Sequence, residues 1–309
     1  MTTDRDHPGS AAPARMLPTD RIAYSAISER SPLTLPGNAR VAVWVIVNVE
    51  EWDATQPMPR TVLTPPAGGS PSPDVPNWAW HEYGNRVGFW RLLRVFDDFS
   101  LPAVLAINGS AIAAYPAIVQ AAIARRWEFI GHGFTQRSMQ KVPDERADIV
   151  RTRDVIAAAT GKPPRGWLGP GLTETWETPD LLAETGYDYV CDWVLDDQPV
   201  WLRTRSRPIL NIPYTQECND VAMMLIQHHK ASEYSDRAID QFEQIHADAE
   251  GSARVMALVL HPYIMGAPHR TRYFRQVIEH ISRKPDVLFW TGAQICDWYR
   301  TAGARAFSP

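Results

Sequence analysis

The chain has 309 residues, of which 45% are hydrophobic and 21% are charged, so it can bury a sizeable core and is not disordered as a whole. Its 31 basic and 35 acidic residues give a net charge of −4, which leaves no positive excess to neutralise a phosphate backbone. No run approaches the roughly 18 apolar residues of a membrane span, and no apolar signal segment stands near the start. We expect a cytoplasmic protein that binds neither nucleic acid nor membrane.

The three cysteines, Cys191, Cys218 and Cys296, lie far apart and form no CxxC pair. This count and spacing predict neither a disulfide framework nor a thiolate zinc site, and they are typical of a reducing compartment. We expect each to be a small buried hydrophobic side chain.

Residues 1–35 are rich in Ser, Pro and Ala without a period, which predicts a flexible or surface-wrapped arm. Residues 36–309 are expected to form one catalytic domain. In it, short apolar runs alternate with segments of helical period, as in parallel βα units, and several runs are continuously apolar, as in strands covered on both faces. The predicted strands are 41–49, 103–107, 127–130, 166–168, 187–191, 208–212, 255–260 and 287–290.

Helices are predicted where apolar residues recur at three- and four-residue spacing. The clearest stripes are Phe89, Leu92, Leu93 and Phe96; Ile112, Tyr115, Val119 and Ala122; and Tyr234, Ala238, Phe242, Ile245 and Ala249. Gly161 and Gly251 are expected to end two helices, and Thr178 to begin a third that ends before Gly186. No glycine-rich dinucleotide fingerprint follows the first strand. The pattern therefore favours an α/β fold, a distorted (β/α) barrel with seven or eight parallel strands, over a Rossmann sheet.

Polar or glycine-rich groups follow six of the predicted strands. The carboxyl ends of parallel barrel strands converge on one mouth, so these groups should meet there. A barrel without an active site would not need them, and we predict an active site at this mouth. The groups are Asn48, Glu50, Glu51, Asn108, His132, Gly169, Pro170, Gly171, Asp192 and His261.

Among these groups, Glu50 and Glu51 project to opposite sides of an extended chain, so only one should face the mouth directly. That one is predicted to be a general base, with its neighbour orienting it or holding a metal; the alternative is a solvated acidic turn. His132 is predicted to be an acid/base group or a metal ligand, and His261 to protonate a departing nitrogen. The alternative for either imidazole is a structural hydrogen bond with the backbone.

These residues resemble the motifs of the polysaccharide deacetylase superfamily, from about residue 41 to 300. In that superfamily two Asp residues end a strand, the first a base and the second a metal ligand; the pair Glu50 and Glu51 occupies this place. Two metal-binding histidines four residues apart correspond to His132 and Gln136. Further motifs are partly matched by Arg165 with residues 166–171, by Asp192-Trp193 and by Leu260-His261.

The sequence is more specifically similar to a subgroup that hydrolyses small cyclic amides and ureides, including cofactor-independent allantoinases and cyclic imide hydrolases. The resemblance implies a homo-oligomer, a dimer or a tetramer. An amide at position 136 is a much weaker metal ligand than an imidazole. We therefore expect no required cofactor, or at most a weakly held zinc or manganese on Glu51 and His132. The signatures are Glu82-Tyr83-Gly84, Arg86, Gly88, Trp90, His261-Pro262, Gly266 and Pro268-His269-Arg270.

The leading hypothesis is a hydrolase of carbon–nitrogen bonds in a small cyclic amide, imide or ureide. Glu50 or Glu51 would activate water, His132 and Asp192 would orient the base or the water, and His261 would protonate the ring nitrogen. Two alternatives remain: a metal-dependent N-deacetylase of a polysaccharide or peptidoglycan, and a non-catalytic binding protein on the same scaffold. The expected substrate-binding residues are Trp80, His81, Glu82, Arg86, Asn108, Gln136, Trp167, Gly169, Pro170, Trp193, Met265 and His269.

Overall fold

The structure, a computed structural model, describes residues 15–64, 69 and 71–302. Strands in chain order are β1 (Val41–Val49), β2 (Val104–Ile107), β3 (Glu128–Gly131), β4 (Gly166–Trp167), β5 (Tyr189–Val190), β6 (Val200–Leu202), β7 (Ile209–Asn211), β8 (Arg254–Leu260) and β9 (Val287–Phe289). Helices are α1 (Pro18–Arg21), α2 (Val75–Tyr83), α3 (Phe89–Asp98), α4 (Ala111–Ala114), α5 (Pro116–Ala124), α6 (Glu145–Thr160), α7 (Thr178–Glu184), α8 (Ala231–Asp248), α9 (Thr271–Ile281) and α10 (Gly292–Thr301). A π-helical turn, Gly84–Gly88, joins α2 to α3.

All the strands belong to one sheet, in the order β6-β7-β5-β4-β3-β2-β1-β8, with β9 also pairing with β1. One edge of β1 is shared, because β9 pairs with residues 41–43 and β2 with residues 46–49. In the described part of the chain, eight strands are joined by parallel pairing, and no ladder joins β6 to β8. The fold is therefore the expected distorted (β/α) barrel, with its ring left open.

The sequence analysis missed β6, a three-residue strand that pairs antiparallel with β7. Its three residues are too few to show the alternation of apolar and polar side chains that is typical of a strand. Its partner β7 and the other seven parallel strands all coincide with predicted runs, although β4 and β5 are only two residues long.

The strand β1 is buried on both faces, as its uninterrupted apolar run predicted. Alternate residues from Val41 to Val49 pack among helical side chains that include Phe89, Phe242 and Phe274. The other set, which includes Trp44, packs among the inner residues of the barrel. This double burial holds the carboxyl end of β1, where the carboxylates begin, in one fixed position.

Several predicted helix boundaries are confirmed and others are wrong. Gly161 ends α6 in a left-handed conformation (φ 79°), and Gly186 follows α7 with φ 97°. The stripe that includes Tyr115 was predicted as one helix but is split into α4 and α5, because Pro116 begins a new helix. The hydroxyl of Thr178 does not cap α7 but donates to Glu145.

The end of α8 also differs from the prediction, since the helix stops at Asp248, three residues before Gly251. The three cysteines are buried and unpaired, as predicted. Across the described ranges, no helix combines the length and the apolar character needed to traverse a bilayer.

The predicted arm falls partly outside the described residues, which begin at residue 15. Its described part lies against the barrel. Arg21 on α1 is 2% exposed and forms an ion pair with Asp180 of α7 at 2.7 Å. Farther along, the carbonyl of Thr34 accepts a hydrogen bond from the indole of Trp298 at 2.8 Å. These contacts tie residues 21–34 to two elements distant in the chain.

Candidate active site

The carboxylate of Glu50 lies just after β1 and is fixed by donors from three segments. Gln136 Nε2 donates to Oε1 at 2.9 Å, and Trp52 Nε1 donates to Oε2 at 2.7 Å. The side-chain amide of Asn85 donates to the Glu50 backbone carbonyl at 3.0 Å. The donors to both oxygens and to the backbone fix the orientation of this side chain, which is only 5% exposed.

Three imidazoles surround this carboxylate. The Nε2 atoms of His132 and His261 each lie 3.7 Å from Oε1 of Glu50, and Nε2 of His81 lies 3.9 Å from Oε2. These distances are too long for direct hydrogen bonds, but a water molecule could bridge them. The cluster thus combines one acceptor with three imidazole nitrogens around a single point.

The protonation of this cluster follows from its burial and its charges. Burial by itself would raise the pKa of Glu50, but the close approach of His132 and the charge of the nearby imidazoles outweigh it and lower the pKa to about 2. Burial lowers the pKa of His81 to about 4, although the charge of Glu50 acts to raise it. At neutral pH Glu50 is therefore a carboxylate and His81 is uncharged.

Two of the imidazoles are oriented through their Nδ1 atoms. Nδ1 of His132 lies 2.6 Å from the carbonyl of Leu168, which can only accept, so Nδ1 carries the hydrogen. Nδ1 of His261 lies 2.7 Å from Oδ1 of Asp220, whose Oδ2 accepts the His261 backbone N–H at 2.8 Å. Asp220 is fully buried. In both cases Nε2 is the nitrogen left for the Glu50 carboxylate.

The third imidazole is held by aromatic packing. The ring of His81 stacks on Trp52 with centroids 4.2 Å apart, and Tyr263 lies 5.1 Å from the same ring. Nδ1 of His81 is buried without a hydrogen-bond partner. Trp80 packs edge-on against Tyr263 and so supports this wall from behind.

Glu51 faces away from the imidazoles, as the alternation of an extended chain predicted. Its Oε2 accepts from the Ser110 hydroxyl at 3.0 Å, and its backbone N–H donates to Asn108 Oδ1 at 3.0 Å. The amide of Asn108 also donates to Gln136 Oε1 at 3.0 Å and to the carbonyl of His132. Asn108 therefore braces three of the surrounding segments.

A cavity of about 590 Å³ adjoins the Glu50 carboxylate. Of the residues predicted to bind substrate or to catalyse, Glu50, Glu51, Gln136 and Pro170 line it. Four other predicted residues do not line the cavity but lie beside Glu50 or Gln136, which do: His132, His261, His81 and Asn108. The structure therefore brings together Glu50, Asn108, His132 and His261 of the strand-end groups, whereas Asp192 lies apart from them.

Several other predicted wall residues lie elsewhere. Trp167 is fully buried against Tyr187, with ring centroids 5.5 Å apart, because β4 turns it into the core. Met265 is also fully buried, while Arg86 and His269 are exposed. None of these four lines the cavity next to Glu50.

Glu82 and Trp193 are likewise committed to other contacts. Glu82 accepts a hydrogen bond from the hydroxyl of Tyr115. The indole of Trp193 donates to both oxygens of Glu174, at 3.1 and 3.0 Å, and lines a second cavity of about 480 Å³.

Asp192 forms a separate carboxyl pair with Glu174. Its Oδ1 accepts the backbone N–H of Gly169 at 2.7 Å, whereas its Oδ2 is buried with no other hydrogen-bond partner. Burial raises the pKa of Asp192 to about 7, and burial together with the charge of Asp192 raises that of Glu174. Both carboxyl groups are therefore protonated more readily than ordinary ones, and neither contacts Glu50.

Sequence reasoning missed Trp52, Asn85, Ser110, Asp220 and Tyr263. Asp220 lies nine residues beyond the end of β7, so no strand-end rule marks it. Trp52 and Tyr263 each stand two residues after a predicted catalytic residue, and this spacing could have indicated them. Asn85 and Ser110 carry no signal apart from their polarity.

Comparison with known proteins shows which family the chain resembles. A model of the polysaccharide deacetylase family matches residues 80–190. Over 291 residues the chain is 28% identical to the "Putative polysaccharide deacetylase" of Schizosaccharomyces pombe, covering 84% of this chain and 90% of that protein. The chain therefore resembles polysaccharide deacetylases, and the match to the family model lies within residues 80–190.

Two further proteins are similar to this chain. The chain is 23% identical over 264 residues to the peptidoglycan deacetylase of Helicobacter pylori, covering 74% of this chain and 89% of that protein. It superposes on the crystal structure of PuuE allantoinase with a TM-score of 0.80, at 22% identity, over 96% of this chain and 100% of that one. The superposition shows a shared fold.

The superfamily motifs would place metal ligands at Glu51, His132 and Gln136. Here Gln136 turns its amide nitrogen to Glu50, and its oxygen already accepts a hydrogen bond from Asn108. The Glu51 carboxylate accepts from Ser110 and faces away from the imidazoles, whereas Nε2 of His132 lies 3.7 Å from Glu50. The three positions are therefore not turned toward one point, as the three protein ligands of a catalytic zinc normally are.

Arg165, which partly matches a further superfamily motif, lies away from Glu50. Arg165 precedes β4, at the opposite end of the barrel from Glu50, and pairs with Asp188 at 2.6 Å and Asp297 at 2.7 Å. It joins β5 and α10 to the base of the sheet and does not contact the catalytic carboxylate.

Proposed function

We propose that this protein hydrolyses a carbon–nitrogen bond in a small cyclic amide, imide or ureide, using its own side chains as base and acid. The observation that carries the proposal is the position of the Glu50 carboxylate, with Nε2 atoms of His132 and His261 both 3.7 Å from one oxygen. A carboxylate and an imidazole at one point can remove a proton from water and supply another to a leaving nitrogen.

In this reaction a water molecule between Glu50 and the imidazoles attacks the ring carbonyl. The carboxylate of Glu50 takes the water proton as the carbon–oxygen bond forms. An imidazolium at His261, stabilised by Asp220, gives its Nε2 proton to the ring nitrogen as the carbon–nitrogen bond breaks. Proton transfer from Glu50 to His261 then restores both groups.

The charge of the nearby imidazoles keeps Glu50 ionised, because it lowers the pKa of Glu50 to about 2 against the opposing effect of burial. Glu50 is therefore in the form that can accept a proton from water.

A second candidate function is N-deacetylation of a polysaccharide or peptidoglycan, which the names of the two deacetylase relatives favour. That reaction also breaks an amide bond, but it releases acetate and leaves the rest of the substrate intact. The position of Gln136 favours the ring-opening reaction, because the metal-dependent chemistry of deacetylation would need a better ligand there.

The experiment is a ring-opening screen over cyclic amides, imides and ureides, with acetate release from chitooligosaccharide measured in parallel. On the ring that is opened, Glu50→Gln should lower kcat by roughly 10²- to 10⁴-fold, the usual contribution of a general base. Glu51→Gln is the matched control, since this neighbouring carboxylate does not face the imidazoles, and it should lose less.

Dialysis of the wild-type protein against a strong chelator completes the test. Ring opening should survive this treatment. Loss of activity that zinc or manganese restores would refute the metal-free reaction, and acetate release without ring opening would favour the deacetylase. Equal losses in Glu50→Gln and Glu51→Gln would contradict the assignment of the base.

A further inference from the structure

Three cationic side chains line the cavity next to Glu50: Arg60, Arg137 and Lys141. Arg60 comes from the segment after β1, and the other two come from the segment after β3. Among the described residues, none of the three lies within 4 Å of a carboxylate oxygen, although many other arginines of this chain form such pairs. Their charges are therefore available to a ligand.

The carboxylates of the same cavity are already engaged. Glu50 is held by its donors and imidazoles, and Glu51 accepts from Ser110. Asp53 accepts from the backbone N–H and the hydroxyl of Thr55, at 2.9 and 2.7 Å. Its pKa is lowered mainly by those bonds and, to a smaller extent, by the charge of Arg137. The outer part of the cavity therefore holds three cations that make no direct ion pair with these carboxylates.

Arg60 links this positive region to the wall of the catalytic cluster. Its charge lowers the pKa of the Tyr263 hydroxyl, which burial raises well above its ordinary value. Tyr263 in turn contacts the ring of His261, with centroids 6.0 Å apart. An anionic group bound by Arg60 could therefore belong to the same molecule as the substrate ring whose nitrogen His261 protonates.

The size of the cavity also exceeds what a single ring needs. Its 590 Å³ would hold about 20 water molecules at roughly 30 Å³ each. A five- or six-membered ring fills only a fraction of this space. The remainder lies beside the three cations and can accommodate a substituent on the ring.

We propose that the substrate carries an anionic substituent, a carboxylate, outside its cyclic amide, and that Arg60, Arg137 and Lys141 bind this group. The inference rests on the proposed function, since it names the class of ring that the site takes. Arginine can bind a carboxylate through two parallel hydrogen bonds, and lysine contributes a mobile point charge. Both also attract an anion toward the cavity before contact.

The test uses two rings of nearly the same shape, hydantoin-5-acetate and hydantoin-5-acetamide, which differ in charge and in the two N–H donors of the amide. Binding is measured by calorimetry and ring opening by kcat/KM, at low and high salt. The acetate should bind about tenfold more tightly, as expected for several weak ion pairs acting together. This preference should shrink as salt is added, because salt screens exposed charges.

Variants then assign the preference to residues. Arg137→Gln and Lys141→Gln should each weaken acetate binding about two- to fivefold and leave acetamide binding unchanged. Arg94→Gln and Lys162→Gln are the matched controls, since these exposed cations lie outside the cavity. They should change neither ligand.

Binding and turnover separate the two proposals. Tighter binding of the acetate without opening of either ring would overturn the proposed reaction and still support the anion site. Equal binding of both rings to the wild-type protein, or an acetate preference that persists in the Arg137→Gln/Lys141→Gln double variant, would overturn the anion site whatever the turnover.

Discussion

Asp220 shows how one buried side chain can determine what its neighbour does. Its two oxygens accept Nδ1 and the backbone N–H of His261, and Oδ2 also accepts the backbone N–H of Met265 at 3.2 Å. These bonds fix both the ring and the loop that carries it. In the proposed reaction Asp220 is therefore a positioning residue, because it would act only through His261.

Asp220→Asn should lower kcat about 100-fold with little change in KM, because the asparagine cannot stabilise an imidazolium at His261. The loss should be smaller for rings whose departing nitrogen is more acidic, since such a nitrogen needs less protonation. Steady-state kinetics over a series of leaving groups measures this. A uniform loss across the series, with a lowered melting temperature, would indicate that Asp220 is merely structural.

The carboxyl pair of Asp192 and Glu174 should give the stability of the protein a pH dependence. The pKa of Asp192 is about 7 in the folded state against an ordinary 3.8, so between these values the folded state holds a proton that the unfolded chain has released. The unfolding free energy should therefore fall as pH rises from about 4 through 7. Urea titrations at pH 5 and pH 8 should show a smaller difference in Asp192→Asn than in the wild type; identical differences would refute the raised pKa of Asp192.

At the scale of elements, the packing of the π-helical turn Gly84–Gly88 against the loop after β8 sets the position of His261. A Cβ atom on Gly84 would lie 2.3 Å from the backbone nitrogen of Tyr263, and one on Gly88 would lie 2.2 Å from the carbonyl oxygen of Pro262. Only glycine allows the two backbones to approach this closely. The glycines of the sequence signature thus have a physical reason.

Gly88→Ala should destabilise the protein by about 1–3 kcal/mol through overpacking and should reduce turnover, because the displaced loop carries His261. Gly161→Ala is the control: it lies in open space at φ 79° and should cost about 1 kcal/mol without a change in kcat. Denaturation curves and kinetics on both variants provide the comparison. Full activity per folded molecule in Gly88→Ala would show that the loop does not depend on this contact.

At the scale of the whole molecule, the ion pair between Arg21 and Asp180 fastens the amino-terminal segment to the barrel. Arg21 also donates to the carbonyls of Trp176 and Arg203, at 2.6 and 3.0 Å, so its guanidinium is fully engaged. Loss of this side chain would leave the carboxylate of Asp180 buried without its main partner.

Arg21→Ala should therefore cost about 3–5 kcal/mol of unfolding free energy, the usual effect of breaking one side of a buried pair. Arg146→Ala, which removes an exposed pair with Glu184, should cost no more than about 1 kcal/mol. Arg21→Met combined with Asp180→Leu should recover much of the loss, since no buried charge remains. Equal costs for Arg21→Ala and Arg146→Ala in denaturant titrations would contradict this role.

The sequence by itself determined the eight parallel strands and the end of the barrel at which their polar side chains gather. The run 41–49 is apolar on both faces and could only be a strand covered on two sides, and its last residues had to reach the mouth. The alternation of an extended chain also separated Glu50 from Glu51. These features depend on neighbours in the sequence, which a single chain displays directly.

Only the tertiary structure decided which side chains complete the site. Asp220 meets His261 across 41 positions, and Gln136 meets Glu50 across 86, and no local period encodes such distances. Tertiary packing also turned Trp167 into the core and drew Asp192 toward Glu174, away from Glu50. A side chain's position along a strand fixes its direction, but the element that packs beside it fixes its partner.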